Sequence, residues 1–212
     1  MNRLECLKSL KELTPEDVLA VVTLGVTTDE WYDLGHREAT MYLPAMGAIT
    51  PLGLGLALAL PHRRVLAIDS DGSLLLSLGS LTVVGARAPG NLGIVVFDNG
   101  CYESIGGMPT ATATGTDLAM VARGCGIRDS TTVDDTETFR CAAKRALTEP
   151  GPVFVVARIE RSIANVRPKT TDILEDKYRF VRYIEKTEGI EILTPAGRGR
   201  RDPNAWRTST EG

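Results

Sequence analysis

Three runs of this chain are apolar at nearly every position: residues 64–69 (RVLAID), 92–98 (LGIVVFD) and 152–159 (PVFVVARI). A strand with one wet face alternates apolar and polar side chains, whereas a continuous run must be covered on both faces. Residues 18–24 (VLAVVTL) form a fourth such run. Segments with helical character separate the four, and strands buried on both sides that alternate with helices build a parallel sheet between two helical layers. The fold class is therefore α/β, a doubly wound parallel sheet.

The helical segments carry their own start and stop signals. Residues 4–13 are amphipathic. Thr14-Pro15-Glu16-Asp17 resembles another helix start, but the strand-like run at 18–24 follows at once. Gly25 ends that run, and Thr27-Thr28-Asp29-Glu30 opens a helix with hydroxyl caps and acids in its first turn. Pro51 suits a first-turn position, and Pro61 stops the helix that runs to Leu60. Further helices are expected over 73–86, 117–125, 136–148 and 174–185, with a turn at Pro89-Gly90-Asn91. No internal repeat is visible. The expected organisation is one domain over 1–165, a helical extension over 166–194 and a polar tail over 195–212, where Arg198, Arg200, Arg201 and Arg207 against Asp202 and Glu211 read as a solvated terminus.

Composition narrows the function classes. A 43% apolar and 24% charged chain is globular, and a formal charge of −3 leaves no electrostatic footprint for nucleic acid or an anionic membrane. Residues 41–60 are twenty positions without a charge, long enough to span a bilayer. Pro44 and Pro51 interrupt them and three glycines weaken them, so a helix of about ten residues buried in a core is expected there instead. Cys6, Cys101, Cys125 and Cys141 show neither metal-finger nor redox spacing. With no secretory signal at the N-terminus, they read as free thiols in a cytoplasm. Two histidines leave little for a histidine metal site. Glycine is abundant, 21 of 212 residues, and points to close backbone approach, often to a ligand.

In open parallel sheets, ligands bind beyond the carboxyl ends of the strands. Ser70-Asp71-Gly72-Ser73 follows one strand and opens a helix; Asn99-Gly100-Cys101-Tyr102, then Gly106-Gly107-Met108-Pro109-Thr110, follow another. A helix start offers free amide donors to a phosphate. Magnesium takes one or two carboxylates together with substrate phosphates and waters, so an Asp, an Asn and a carbonyl facing a diphosphate suit it. Singly, Asp71 reads as a helix cap and Asn99-Gly100 as a turn. Together, 28 residues apart on two strand ends, they read as a site.

Asp71-Gly72-Ser73 with Asn99 resembles the thiamine-diphosphate motif, Gly-Asp-Gly followed after roughly thirty residues by Asn-Asn. The wider match, YLPAMG, GLGLALALPHRRVLAIDSDGSLLLSLGSL and NLGIVVFDNGCYESIGGMPT, spans about residues 18–160. It resembles the thiamine-diphosphate-dependent decarboxylases, in particular the diphosphate-binding (beta) subunit of the sulfopyruvate and phosphonopyruvate decarboxylase group. The resemblance implies Asp71 and Asn99 as magnesium ligands with the Cys101 carbonyl. It implies Gly72 and Ser73 amides on the diphosphate, with Tyr102 and Gly47 among the cofactor-binding residues. Met46 would wedge between the cofactor rings, although a methionine in an apolar stretch also serves as core filler. The Pro44 carbonyl would accept from the aminopyrimidine.

Ser70, Pro44 and Met108 depart from the family pattern, the last in a loop near the substrate. Arg37 has two readings, an acidic substrate or a surface ion pair. The family's activating glutamate belongs to a separate pyrimidine-binding domain. The acids here, Asp69, Asp71, Asp98 and Glu103, are not placed for that role, Glu103 lying toward the substrate end. The resemblance therefore implies half an active site: a subunit needing a pyrimidine-binding (alpha) partner in a hetero-oligomer, with thiamine diphosphate and magnesium as cofactors and a small acidic 2-oxo acid as substrate. Carboligation of the acetolactate synthase kind is the alternative within the enzyme class. Two other readings are a nucleotide-binding oxidoreductase on Gly53-Leu54-Gly55 and a scaffold that no longer binds cofactor.

Overall fold

The computed structural model describes residues 1–162 and 164–193; the polar tail expected over 195–212 lies outside the described residues. Strands β1 (Leu19–Thr23), β2 (Thr40–Leu43), β3 (Val65–Ser70) and β4 (Leu92–Asp98) come first along the chain. A short ribbon of β5 (Cys101–Tyr102) and β6 (Met108–Pro109) follows, then β7 (Asp129–Val133) and β8 (Val153–Arg158). Six of these form one sheet in the order β2-β1-β3-β4-β8-β7, parallel throughout. Helices α1 (Arg3–Leu13), α2 (Val26–Asp33), α3 (Ile49–Ala59), α4 (Asp71–Leu75), α5 (Ser80–Arg87), α6 (Leu118–Gly124), α7 (Thr136–Thr148) and α8 (Ile173–Glu188) connect and cover it.

The unbroken apolar runs are explained by two cores, one on each face. Val65 and Ala67 of β3 join Leu54, Leu81, Leu118 and Phe180 from α3, α5, α6 and α8. Leu66 and Ile68 point the other way, to Leu7, Trp31 and Phe139 from α1, α2 and α7. Each fully buried aliphatic side chain contributes on the order of 1.5–3 kcal/mol. The charge-free segment 41–60 becomes edge strand β2, a loop and α3, and among the described residues no helix is long and apolar enough to cross a membrane. All four cysteines are free.

Two expectations differ from the structure. The helix expected over 73–86 is two helices, because Leu76, Ser77, Ser80, Leu81 and Thr82 donate to carbonyls three residues back, tightening the chain into turns. Gly79, a poor helix former, sits at that break. Four strands are additional elements: β2 and β7, both edges of the main sheet, and β5 and β6 of the short ribbon. The helix in the segment assigned as a C-terminal extension, α8, packs Phe180 and Ile184 into the first core.

From β1 the chain passes outward through α2 to β2, then returns through α3 to β3 on the other side of β1. Connections therefore leave β1 and β3 in opposite directions. That is the point at which a doubly wound sheet opens a crevice beyond its carboxyl ends.

Candidate active site

A cavity of about 140 Å³ lies at that crevice, lined by Gly25, Val26 and Thr27 after β1, by Ser70, Asp71 and Gly72 after β3, and by Asn99, Cys101, Tyr102 and Glu103 after β4. Met46, 38% exposed, closes one side. Gly47 and Ser73 stand behind this lining: the Ser73 hydroxyl, fully buried, accepts the Gly47 N–H at 3.0 Å and so ties the Met46 loop to the start of α4. Pro44 is exposed and lines a neighbouring crevice with Tyr42, Lys169 and Asp176.

Asp71 is 2% exposed. Its Oδ2 accepts from the Thr110 hydroxyl at 2.6 Å and from the Thr112 hydroxyl at 3.2 Å, while Thr112 also bonds Asp98 Oδ1 at 2.7 Å. Burial pushes the Asp71 carboxyl above its ordinary pKa; the Thr110 bond opposes this and the Asp98 charge adds to it. Two carboxylates sharing one hydroxyl leave a local excess of negative charge that a divalent cation would neutralise. Asn99 Oδ1 accepts the Cys101 N–H at 3.0 Å, a turn that brings both residues to the cavity that Asp71 lines. The donor set of one carboxylate, one amide oxygen and one main-chain carbonyl fits magnesium. Among the described residues no three His, Cys, Asp or Glu side chains converge to hold an ion, and magnesium ordinarily completes its coordination with substrate phosphates and waters.

The cradle beside it is narrow. A Cβ on Gly72 would stand 2.5 Å from Tyr102 Cε1, so the tyrosine ring lies directly on the main chain at the start of α4. Ser70, at the position the family motif gives to glycine, has φ −124° and ψ 159°. That is ordinary extended backbone, which any side chain accepts. Asp69 is fully buried, held by the Thr50 hydroxyl at 3.0 Å and the Ser70 N–H at 2.9 Å, and burial raises its pKa.

Sequence reasoning missed several parts of this site. The N-terminus of α2, behind Gly25 with φ 81°, opens on the cavity and adds free amides there. The rule applied to the other strand ends would have found it. Thr110 and Thr112 place their hydroxyls on the Asp71 carboxylate. Arg3 had no signal: it is buried, donates from Nε to Glu30 at 2.8 Å and from Nη1 to Glu103 at 2.9 Å, and lines the cavity from 100 residues away. Arg37 takes the second of its two readings. It bonds the Thr14 carbonyl at 2.6 Å and Glu16 at 3.0 Å at the opposite end of the sheet. Gly53 and Gly55 lie inside α3, and Asp69 is engaged within the protein, which removes the basis of the oxidoreductase reading.

The family described as "Thiamine pyrophosphate enzyme, C-terminal TPP binding domain" matches residues 28–157. The chain is 36% identical to the sulfopyruvate decarboxylase subunit beta of Methanococcus maripaludis, over 88% of this chain and 99% of that one. It is 39% identical to the phosphonopyruvate decarboxylase of Streptomyces viridochromogenes over 93% of its length, which is half (50%) of that protein. Among solved structures, the thiamine diphosphate-dependent 4-hydroxybenzoylformate decarboxylase of Rhodococcus jostii shares the fold with a TM-score of 0.66 at 24% identity, over 77% of this chain and 33% of that one. A carboxyl-end crevice with Asp71, Gly72 and Asn99 on adjacent strand ends and a family match across the same strands lead to one conclusion: this chain belongs to the thiamine-diphosphate-dependent enzymes, as a domain of the diphosphate-binding kind.

Proposed function

We propose that the chain is the diphosphate-binding subunit of a two-component thiamine-diphosphate-dependent decarboxylase acting on a small acidic 2-oxo acid of the sulfopyruvate or phosphonopyruvate kind. The observation that carries this reading is the convergence of Met46, Asp71, Gly72, Asn99, Cys101, Tyr102 and Glu103 on one cavity at the switch point of the sheet. When bound, thiamine diphosphate supplies the electron sink for cleaving the bond to the departing carboxylate. The rest is the work of this chain's residues. Asp71, Asn99 and the Cys101 carbonyl hold magnesium. The amides of Gly72 and Ser73, joined by those at the start of α2, take the diphosphate. Met46, on the cavity wall, would wedge between the two cofactor rings, and Ser73 fixes the loop that carries it. The Pro44 carbonyl would accept from the aminopyrimidine, Gly47 would be a further cofactor-binding residue, and Tyr102 covers the main chain of Gly72.

The partner in this reading is a pyrimidine-binding (alpha) subunit that donates the activating glutamate. The likeness to a beta subunit supports it, and so does the state of the acids at the cavity: Asp71 is held by two hydroxyls and Glu103 by Arg3. Four free cysteines support a reducing, cytoplasmic setting. The test is to purify the chain alone and with the candidate partner, then follow loss of phosphonopyruvate with thiamine diphosphate and magnesium present. Turnover is expected only from the pair. Robust decarboxylation by the isolated chain would overturn the two-component reading, and an inert pair that binds no cofactor would overturn the decarboxylase reading.

A further inference from the structure

Two guanidinium groups reach this end of the sheet from outside the strand-end motifs. Arg3 is saturated: besides Glu30 and Glu103, it donates from Nη2 to the Ser162 carbonyl at 2.7 Å, and it is 4% exposed. Arg161 is exposed, and among the described residues no carboxylate or carbonyl accepts from it. It lies three residues past the end of β8, in a segment without regular structure that is nonetheless pinned on both sides. The Ile159 N–H donates to the Asp98 carbonyl and the Glu160 N–H to the Met1 carbonyl, both at 2.9 Å, and Ser162 is the residue that Arg3 grips. The main chain that carries Arg161 is thus tied to the end of β4 and the start of α1.

Its side chain points to the loop beyond Tyr102. Arg161 Nη1 is 4.0 Å from the position a Cβ on Gly107 would occupy. Gly106 and Gly107 have φ of 93° and 71°, so the loop turns beside the guanidinium without side chains. The neighbours on that rim, Ile105 and Met108, are exposed and apolar and offer no competing acceptor. The Gly107 N–H donates to the Tyr102 carbonyl at 3.0 Å, which ties the stretch beside Arg161 to a residue that lines the cavity. Asp71 lines the cavity after β3, whereas Arg161 stands outside the lining, against Gly107 of the loop that follows Tyr102 and Glu103.

We propose that Arg161 is the subsite for the distal anionic group, sulfonate or phosphonate, of the 2-oxo acid substrate. This rests on the function proposed above. A planar fork of N–H donors matches two oxygens of a tetrahedral anion, and a pinned main chain reduces the ordering needed on binding. The same group sets selectivity, since a substrate ending in a neutral methyl leaves the fork unused.

The test uses the assembled enzyme, with phosphonopyruvate and pyruvate as substrates and 3-phosphonopropionate as a non-reacting probe read by calorimetry. Arg161→Gln is expected to lower the ratio of kcat/KM for phosphonopyruvate over pyruvate by roughly 10- to 100-fold. The loss should lie mainly in KM, with a parallel drop in affinity for the probe. Arg161→Lys, which keeps the charge but not the fork, should recover part of both. An unchanged ratio and probe affinity in an enzyme that decarboxylates phosphonopyruvate would overturn the subsite and leave the reaction standing. An equal loss for both substrates would also overturn it, by assigning Arg161 to assembly or loop structure. A wild-type enzyme that decarboxylates neither acid yet binds the probe through Arg161 would overturn the proposed reaction and leave the anion subsite standing.

Discussion

At the amino ends of the strands, four arginines donate to main-chain carbonyls. Arg37 reaches Thr14, Arg63 reaches Asp17, Arg64 reaches Leu147 and Gly90, and Arg179 reaches Glu38 and Thr40. Asn91 does the same with its side-chain amide, donating to the carbonyls of Ala57, Leu60 and Arg63 at 3.1, 3.0 and 2.7 Å and so closing the C-terminal end of α3. At the carboxyl ends the polar groups are mostly carboxylates and hydroxyls: Thr50 bonds Asp69, Thr110 bonds Asp71, which lines the cavity, and Thr112 bonds both Asp71 and Asp98. The first rim satisfies the backbone. The second concentrates buried negative charge, which favours a bound cation and costs the free chain stability. The comparison separates polar residues that hold the fold from polar residues that hold a ligand, and each kind should fail differently when removed.

The largest effect is expected at Asp71. Asp71→Asn keeps an acceptor for Thr110 and Thr112 and removes the charge, so magnesium-dependent affinity for thiamine diphosphate should fall by at least ~100-fold in the assembled enzyme, with little change in the urea midpoint. Calorimetry with and without magnesium measures it. Unchanged affinity would sink the metal assignment and, with it, the contrast between the two rims.

Asn91→Ala should show the opposite pattern. Three carbonyls lose their donor, so the chain should lose about 1–3 kcal/mol of stability in urea unfolding, while cofactor affinity stays within about two-fold of the parent on the rule that distant sites act independently. A large loss of cofactor affinity would mean that the amino-terminal rim is coupled to the site and that the division is too sharp.

The third effect is smaller and concerns α1, which joins the two rims. It carries Arg3 at the cavity and, eight residues on, Lys11. Lys11 is buried, its Nζ stands 4.3 Å from the Trp31 ring centroid and it has no hydrogen-bond partner among the described residues. Burial, aided by the Arg37 charge, lowers its pKa from 10.5 to about 8. Between those values the unfolded chain binds more protons than the folded one. Stability should therefore rise with pH from about 8 to 10.5 and be lost as pH falls through about 8. Lys11→Met should flatten that rise and raise the urea midpoint at pH 7. A rise that persists unchanged in the variant would assign it to other groups.

Of the strands, the sequence made legible β1, β3, β4 and β8, the four central ones, because burial on both faces leaves an unbroken apolar run. The edges β2 and β7 were not legible. Residues 129–133 (DSTTV) are short and polar, and they are a strand only because β8 pairs with them. Residues 40–43 (TMYL) merge into the apolar stretch that follows, and pairing with β1 separates them. The site divided in a similar way. Asp71, Gly72, Asn99 and Cys101 could be found because they follow strands, and strand ends are where a parallel sheet binds ligands.

Arg3, Thr110, Thr112 and Arg161 were not legible. Arg3 meets Glu103 and Thr110 meets Asp71 across 100 and 39 residues, and no local period or cap encodes such a meeting. The order of apolar runs and the residues that end them determined by themselves that this chain forms a parallel sheet with a phosphate- and metal-suited end. Only the tertiary structure decided which arginines are saturated and which, among the described residues, are left without an acceptor. It also decided which hydroxyls hold the carboxylate, since hydrogen bonds between side chains far apart in sequence exist only once packing has fixed both partners.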